Sequence, residues 1–175
     1  MKFIINFLKW ICVAILLIFV HYVVYYFLPS PWNNINIIFS AVIISIIGWE
    51  SGVSIWLACL LHFFMELYSI SPFGLILLPS TLSIIFAYWL YTFIFTNRSW
   101  TSAMALVVLA LIVYRILYTL TFVILEYFNK GFNIAWKTLL VNYFWELALT
   151  SIMTGLMVFI FSKIWKRFNV DRAVM

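Results

Sequence analysis

Between Lys9 and Glu50 the chain runs for 40 residues without an Asp, Glu, Lys or Arg, and between Glu66 and Arg98 for another 31. A helix needs ~20 mostly apolar residues to cross the ~30 Å hydrocarbon core of a bilayer. The strands of an outer-membrane barrel would alternate polar and apolar residues over ~10-residue segments. Here the apolar runs are continuous, as in Ile11 to Val20 and Ala103 to Val113. Only a helix satisfies its own backbone hydrogen bonds within such a run. The balance of the 175 residues agrees: 67% are hydrophobic and 9% charged, against ~45–50% and ~25% in soluble domains. With 5 Gly, 4 Pro and 2 Cys, collagen-like, disordered and disulfide-built chains are excluded. The expected class is an all-α polytopic membrane protein.

Punctuation residues divide the chain into six predicted spans, at about 8–28, 35–48, 53–69, 73–96, 101–126 and 138–162. Lys2 and Lys9 before an apolar stretch are reminiscent of a signal peptide, but the run continues through His21 to Phe27 with no small-residue cleavage site, so a retained helix is expected. Pro29 to Asn34 forms the clearest turn. Pro79 falls within the fourth span and is expected to kink it. The second span is short enough to be tilted or partly re-entrant. The loops are too short for a soluble domain, so a single integral membrane domain, 1–175, is expected.

Basic residues in short loops stay cytoplasmic. With six spans, one side carries Lys2, Lys9, Arg98, Lys163, Lys166, Arg167 and Arg172, and the other only Lys130 and Lys137. Both termini are therefore expected in the cytoplasm. The net charge of +5 reads as topology rather than as a nucleic-acid signal. The basic end from Lys163 to Arg172 is also suited to anionic lipid headgroups. Trp10, Trp49, Trp100 and Trp165 fall near the expected inner boundary, and Trp32, Tyr68, Tyr127 and Trp136 near the outer one. Trp56, Trp89 and Trp145 lie deeper and are expected to pack. The small-residue pairs Ala41/Ser45, Ser83/Ala87 and Ser151/Gly155 permit close helix approach.

An ionisable residue within a span costs at least ~2.5–3.5 kcal/mol and so needs a partner or a job. Glu66, Arg115 and Glu146 are such residues. At ~1.5 Å per residue, Glu66 lies ~20 Å and Arg115 ~21 Å above the inner ends of their spans, and Glu146 lies ~12 Å below the outer end of its own. Their common level predicts a Glu–Arg–Glu cluster joining the third, fifth and sixth helices. His62 lies four residues before Glu66, Asn142 four before Glu146, and Tyr118 one turn above Arg115, which extends the cluster. Its two readings are interhelical glue and a solute or proton site opening outward.

Catalytic and metal signatures are missing. The chain has no HExxH and no GxSxG, and its one aspartate, Asp171, lies outside every span. No glycine-rich phosphate loop is present. Cys12 and Cys59 form no CxxC pair and read as small apolar side chains. His62 and Glu66 have no second His–carboxylate set to complete a metal site. No enzymatic activity, cofactor or metal is expected.

The segment from Trp56 to Leu75 is an apolar helix closed by Glu66, a turn with Ser69 and Ser71, and then Pro72-Phe73-Gly74. It resembles the most recognisable stretch of the bacterial rod-shape-determining MreD family, in which an apolar helix ends in an acidic residue before a serine-containing turn and Pro-Leu-Gly. Glu66 stands where that family usually has Asp, and Phe73 where it usually has Leu. The six-span layout, Asn142 on the last helix and the basic tail are also similar. Arg115 stands where the family often has an acidic residue, and Glu146 is not a residue expected from the family.

The resemblance implies a non-enzymatic inner-membrane subunit of the cell-elongation machinery that supports peptidoglycan synthesis. Its partners would be an MreC-like protein and, through it, the MreB filament and the RodA/penicillin-binding-protein synthase. The family's fold is similar to that of the substrate-capturing S-components of energy-coupling-factor vitamin transporters, which supplies the alternative function. Against the alternative, the first helix lacks the Ala-xxx-Ala pattern with which S-components engage their coupling partner. A generic membrane assembly protein is the third reading.

Overall fold

The computed structural model describes residues 2–49, 52–95, 99–129 and 136–172, with the side chains of 2–10, 49, 126, 128–129 and 163–172 outside that description. Glu50, Arg98 and Lys130 therefore lie outside the described residues, as do residues 130–135 of the connection from Glu126 to Lys137. Among the described residues the fold is all-α: α1 (Lys2–Phe27), a 3-10 turn (Trp32–Asn34), α2 (Ile37–Trp49), α3 (Val53–Leu67), α4 (Leu77–Phe93), α5 (Trp100–Asn129) and α6 (Trp136–Arg172). Two stretches, Trp100–Leu125 in α5 and Trp136–Ser162 in α6, are long and apolar enough to cross a membrane by length and composition.

The shortest helix is the centre. α2 has 13 residues and touches each of the other five helices. A helix that is apolar all round is one that is covered all round, and Ile38, Phe39, Val42, Ile43 and Ile46 of α2 have no exposed surface at all. α3, α4 and α5 follow as neighbours in chain order, and α6 returns to close the bundle against α2 and α5. α1 is peripheral and packs on α2, α3 and the 3-10 turn.

Small residues set the closest approaches. Ser83 and Ala87 are fully buried on α4. A Cβ added to Gly155 of α6 would lie 2.6 Å from the Cγ of Met104 on α5, so the expected Ser151/Gly155 pair does mark a close crossing.

Two expectations about α4 are corrected. The fourth helix was expected from residue 73, but it starts at Leu77, because Pro72 to Ile76 form a turn in which Gly74 has φ +95°. That left-handed conformation is one that glycine adopts at little cost. With the later start, Pro79 falls in the first turn, where an amide would have no intrahelical partner anyway. It therefore does not kink α4 as an interior proline would. The deep tryptophans are corrected as well. Trp56 is 77% exposed and Trp89 50%, and Trp145 also points outward, so these side chains cover the outside of the bundle. Cys12 is exposed and Cys59 half-buried, both as free thiols.

Candidate functional site

The first amides of any α-helix have no partner within it. In apolar surroundings each must find one elsewhere or cost about 1–3 kcal/mol. At α4 every such group is accounted for. The Leu75 amide donates to the Pro72 carbonyl at 3.3 Å, and that of Leu78 to the Gly74 carbonyl at 3.2 Å. The Ile76 and Leu77 amides donate to the two oxygens of Glu66, at 3.0 and 2.9 Å. Pro79 has no amide hydrogen, and the Ser80 amide begins the regular ladder at the Ile76 carbonyl. Glu66, in the last turn of α3, thus carries the start of α4, and its charge is aligned with the positive end of the helix dipole.

A second carboxylate serves the start of α2. Asn36 precedes that helix, and its Oδ1 accepts the Phe39 amide at 3.1 Å, which is an N-cap. Its own amide donates to Thr150 Oγ1 at 3.0 Å, and its Nδ2 donates to Glu146 Oε1 at 2.9 Å. The Thr154 hydroxyl, one turn further along α6, lies 3.0 Å from Ser40 Oγ. Glu146 and Thr150 belong to the buried part of α6, so α2 begins well inside the bundle, beside the flank of α6.

Arg115 of α5 completes this second group. Its Nε donates to Glu146 Oε2 at 2.5 Å and its Nη2 pairs with the same oxygen. The guanidinium carbon lies 4.3 Å from the ring centre of Tyr143, 5.1 Å from Tyr114 and 5.7 Å from Tyr118. Aromatic faces stabilise a cation that has left water. The Glu146 carboxylate therefore binds α2 through Asn36 and α5 through Arg115.

The predicted Glu–Arg–Glu cluster is thus divided. Arg115 and Glu146 meet, whereas Glu66 is engaged with α4, because the amides of Ile76 and Leu77 have no other acceptor. Tyr118 lies within electrostatic reach of both Glu66 and Arg115, so the two groups are neighbours. His62 is buried but separate: its Nδ1 lies 2.8 Å from the Ala58 carbonyl and its ring meets Phe39 edge-on at 5.3 Å. Pro72 and Gly74 shape the turn that delivers the α4 amides to Glu66.

Asn142 takes no part and is exposed. It does share a helix side with Glu146, but from Trp136 to Trp145 α6 has few buried positions, and full burial begins only at Glu146. Sequence reasoning missed Asn36, Ser40, Thr150 and Thr154. The signal existed, since Asn36 directly precedes an apolar run and Glu146, Thr150 and Thr154 repeat every fourth residue along one helix face.

Beside this network, a cavity of about 590 Å³ opens between α5 and α6, walled by Ile112, Ile116 and Leu120 against Leu140, Tyr143 and Leu147, with Arg115 at its edge. Among the described residues no three His, Cys, Asp or Glu side chains are grouped to hold a metal ion. No family model, curated protein or solved structure matches this chain. The site thus consists of two buried carboxylates, each accepting hydrogen bonds on both oxygens at the start of a helix.

Proposed function

We propose that the chain is a six-span integral protein of the bacterial inner membrane, both termini cytoplasmic, that acts as a non-enzymatic scaffold in the cell-elongation machinery. The observation that carries the scaffold reading is the use of Glu66, the acidic residue of the MreD-like motif. Both of its oxygens are bound to backbone amides of α4, so the motif's charge holds two helices in register. Glu146 is occupied in the same way by Asn36 and Arg115. Carboxylates so engaged support an architectural role over a catalytic one.

The membrane part of the reading is supported by an apolar exterior around a core that also holds polar groups. Serines 40, 54, 80 and 83, Thr150, Thr154, Glu66 and Glu146 are buried, while Phe19, Phe27, Trp56, Ile116, Leu140 and Phe144 face outward. A soluble monomer seldom exposes apolar surface so continuously, whereas a bilayer is satisfied by it. The elongation assignment rests on the resemblance of the Trp56–Leu75 stretch, with an MreC-like protein as direct partner and MreB and the RodA synthase beyond it. The test is depletion in a rod-shaped host together with capture of the tagged chain from solubilised membranes. Rounded cells and co-purified MreC-like protein are expected; unchanged rods without that partner overturn the assignment.

The cavity between α5 and α6 favours a second reading, the substrate-capture subunit of a vitamin transporter. Its volume of about 590 Å³ falls in the ~300–1,000 Å³ range of small-molecule sites. Tight binding of a vitamin to the purified chain would decide for that reading; calorimetry without heat across a vitamin panel decides against it.

A further inference from the structure

The outward side of α6 carries a spacing that its own bundle does not use. Glu146, Thr150, Thr154 and Val158, four residues apart, are buried against the bundle. Roughly opposite them run Thr138, Asn142, Trp145, Leu149, Ile152 and Leu156, all exposed except the half-buried Leu149. Their intervals are four, three, four, three and four residues. That alternation, averaging ~3.5 residues, is the seam along which one helix winds left-handedly on another. Below Thr138 the row is apolar apart from Asn142. That residue stands six positions, ~9 Å, inside Trp136, and has no hydrogen-bond partner among the described residues.

We propose that this row is a docking surface for a second copy of the chain: two α6 helices cross about a two-fold axis along the membrane normal, with their Asn142 amides bonded to each other. An amide without a partner in hydrocarbon is costly, and amide side chains that bond across helices drive association there. A carboxamide both donates and accepts, so it is complementary to itself. Two copies inserted in the same sense hold their Asn142 residues at one depth, as a two-fold axis requires. A lone Asn at such a seam position also fixes the register of a helix pair. The row carries no charge to select a different protein, and lipid chains would leave the amide unbonded. Leu140, Tyr143 and Leu147, which wall the cavity beside α5, lie off the row and stay outside the α6 pair. The interface rests on the membrane reading above but not on the elongation assignment.

The test uses the full chain in membrane vesicles, with Cys12→Ser and Cys59→Ser removing the natural free thiols. Mild oxidation of Leu149→Cys, Ile152→Cys or Leu156→Cys is expected to give a disulfide-linked product of twice the mass of the chain. Phe144→Cys and Met157→Cys, also exposed but off the row, should give little of it. Sedimentation equilibrium in micelles then measures the pairing itself. Asn142→Leu should raise the dimer dissociation constant about three- to thirtyfold, the usual worth of an interhelical hydrogen bond. The unfolding midpoint of the dilute, monomeric variant should stay at the parental value, because the fold of one chain makes no use of this amide.

Equal cross-linking on and off the row marks random collision and overturns the proposal. A chain that stays in the membrane through alkaline carbonate yet gives no linked product overturns it and leaves the membrane reading intact. A chain released by carbonate overturns both. A linked product of any other mass assigns the row to a different protein and also overturns the proposal. So does an Asn142→Leu variant that pairs as tightly as the parent.

Discussion

Arg115 on α5 and the buried Glu146 on α6 form an ion pair whose arginine is a quarter exposed, and Glu146 also accepts a hydrogen bond from Asn36 at the start of α2. One carboxylate thereby fixes three helices. Such an arrangement is asymmetric in its response to mutation, because removing one charge leaves the other stranded in an apolar site.

Arg115→Met alone should destabilise the fold by about 3–5 kcal/mol. Combining it with Glu146→Gln should recover a large part of that loss, since the glutamine oxygen still accepts from Asn36 without an unpaired charge. Reversible unfolding in mixed micelles measures both variants. A double variant as unstable as the single one contradicts the pairing.

Glu66→Gln removes one of the two acceptors at the start of α4 and should cost about 1–3 kcal/mol. The loss should be local first. Hydrogen exchange of the Ile76 and Leu77 amides is expected to accelerate, with that of α2 amides unchanged. Gly74→Ala forces a left-handed residue with a Cβ and should cost a further ~1–2 kcal/mol.

Asn36 and Asn142 should behave oppositely. Asn36→Leu removes the N-cap, worth ~1 kcal/mol by itself, and takes a donor from Glu146. Asn142→Leu alters an exposed position and should stay within ~0.5 kcal/mol of the parent. Unfolding midpoints of the two variants, measured side by side, check the difference.

Gly155→Leu should separate α5 from α6 by overpacking against Met104, at a cost of about 1–3 kcal/mol. Met104→Ala on the same chain should return part of it, because Met104 supplies the atoms that meet a new Cβ. A Gly155→Leu variant of parental stability would show that the crossing is looser than described.

The helices and their order were legible because charge-free runs and punctuation residues act locally. What the charges bind was not. Glu66 could be recognised as a carboxylate on an apolar helix, but its partners are the backbone amides of Ile76 and Leu77, which carry no side-chain signature. The same invisibility misplaced Pro79, since a boundary set at residue 73 puts it in the interior of the helix. Asn142 was read from helical periodicity, which fixes direction around an axis but not whether a neighbour is present. Arg115 and Glu146 were paired from depth alone, because a charge in an apolar setting has few levels at which it can meet its opposite.

The sequence distances within that group have a consequence for how the chain is made. Arg115 leaves the ribosome 31 residues ahead of Glu146, and Asn36 precedes its Glu146 partner by 110. On the membrane reading proposed above, α5 alone would carry an uncompensated cation, and its counterion arrives only with α6. On that reading α5 and α6 enter together, and the start of α2, emitted early, stays incompletely bonded until α6 has been made.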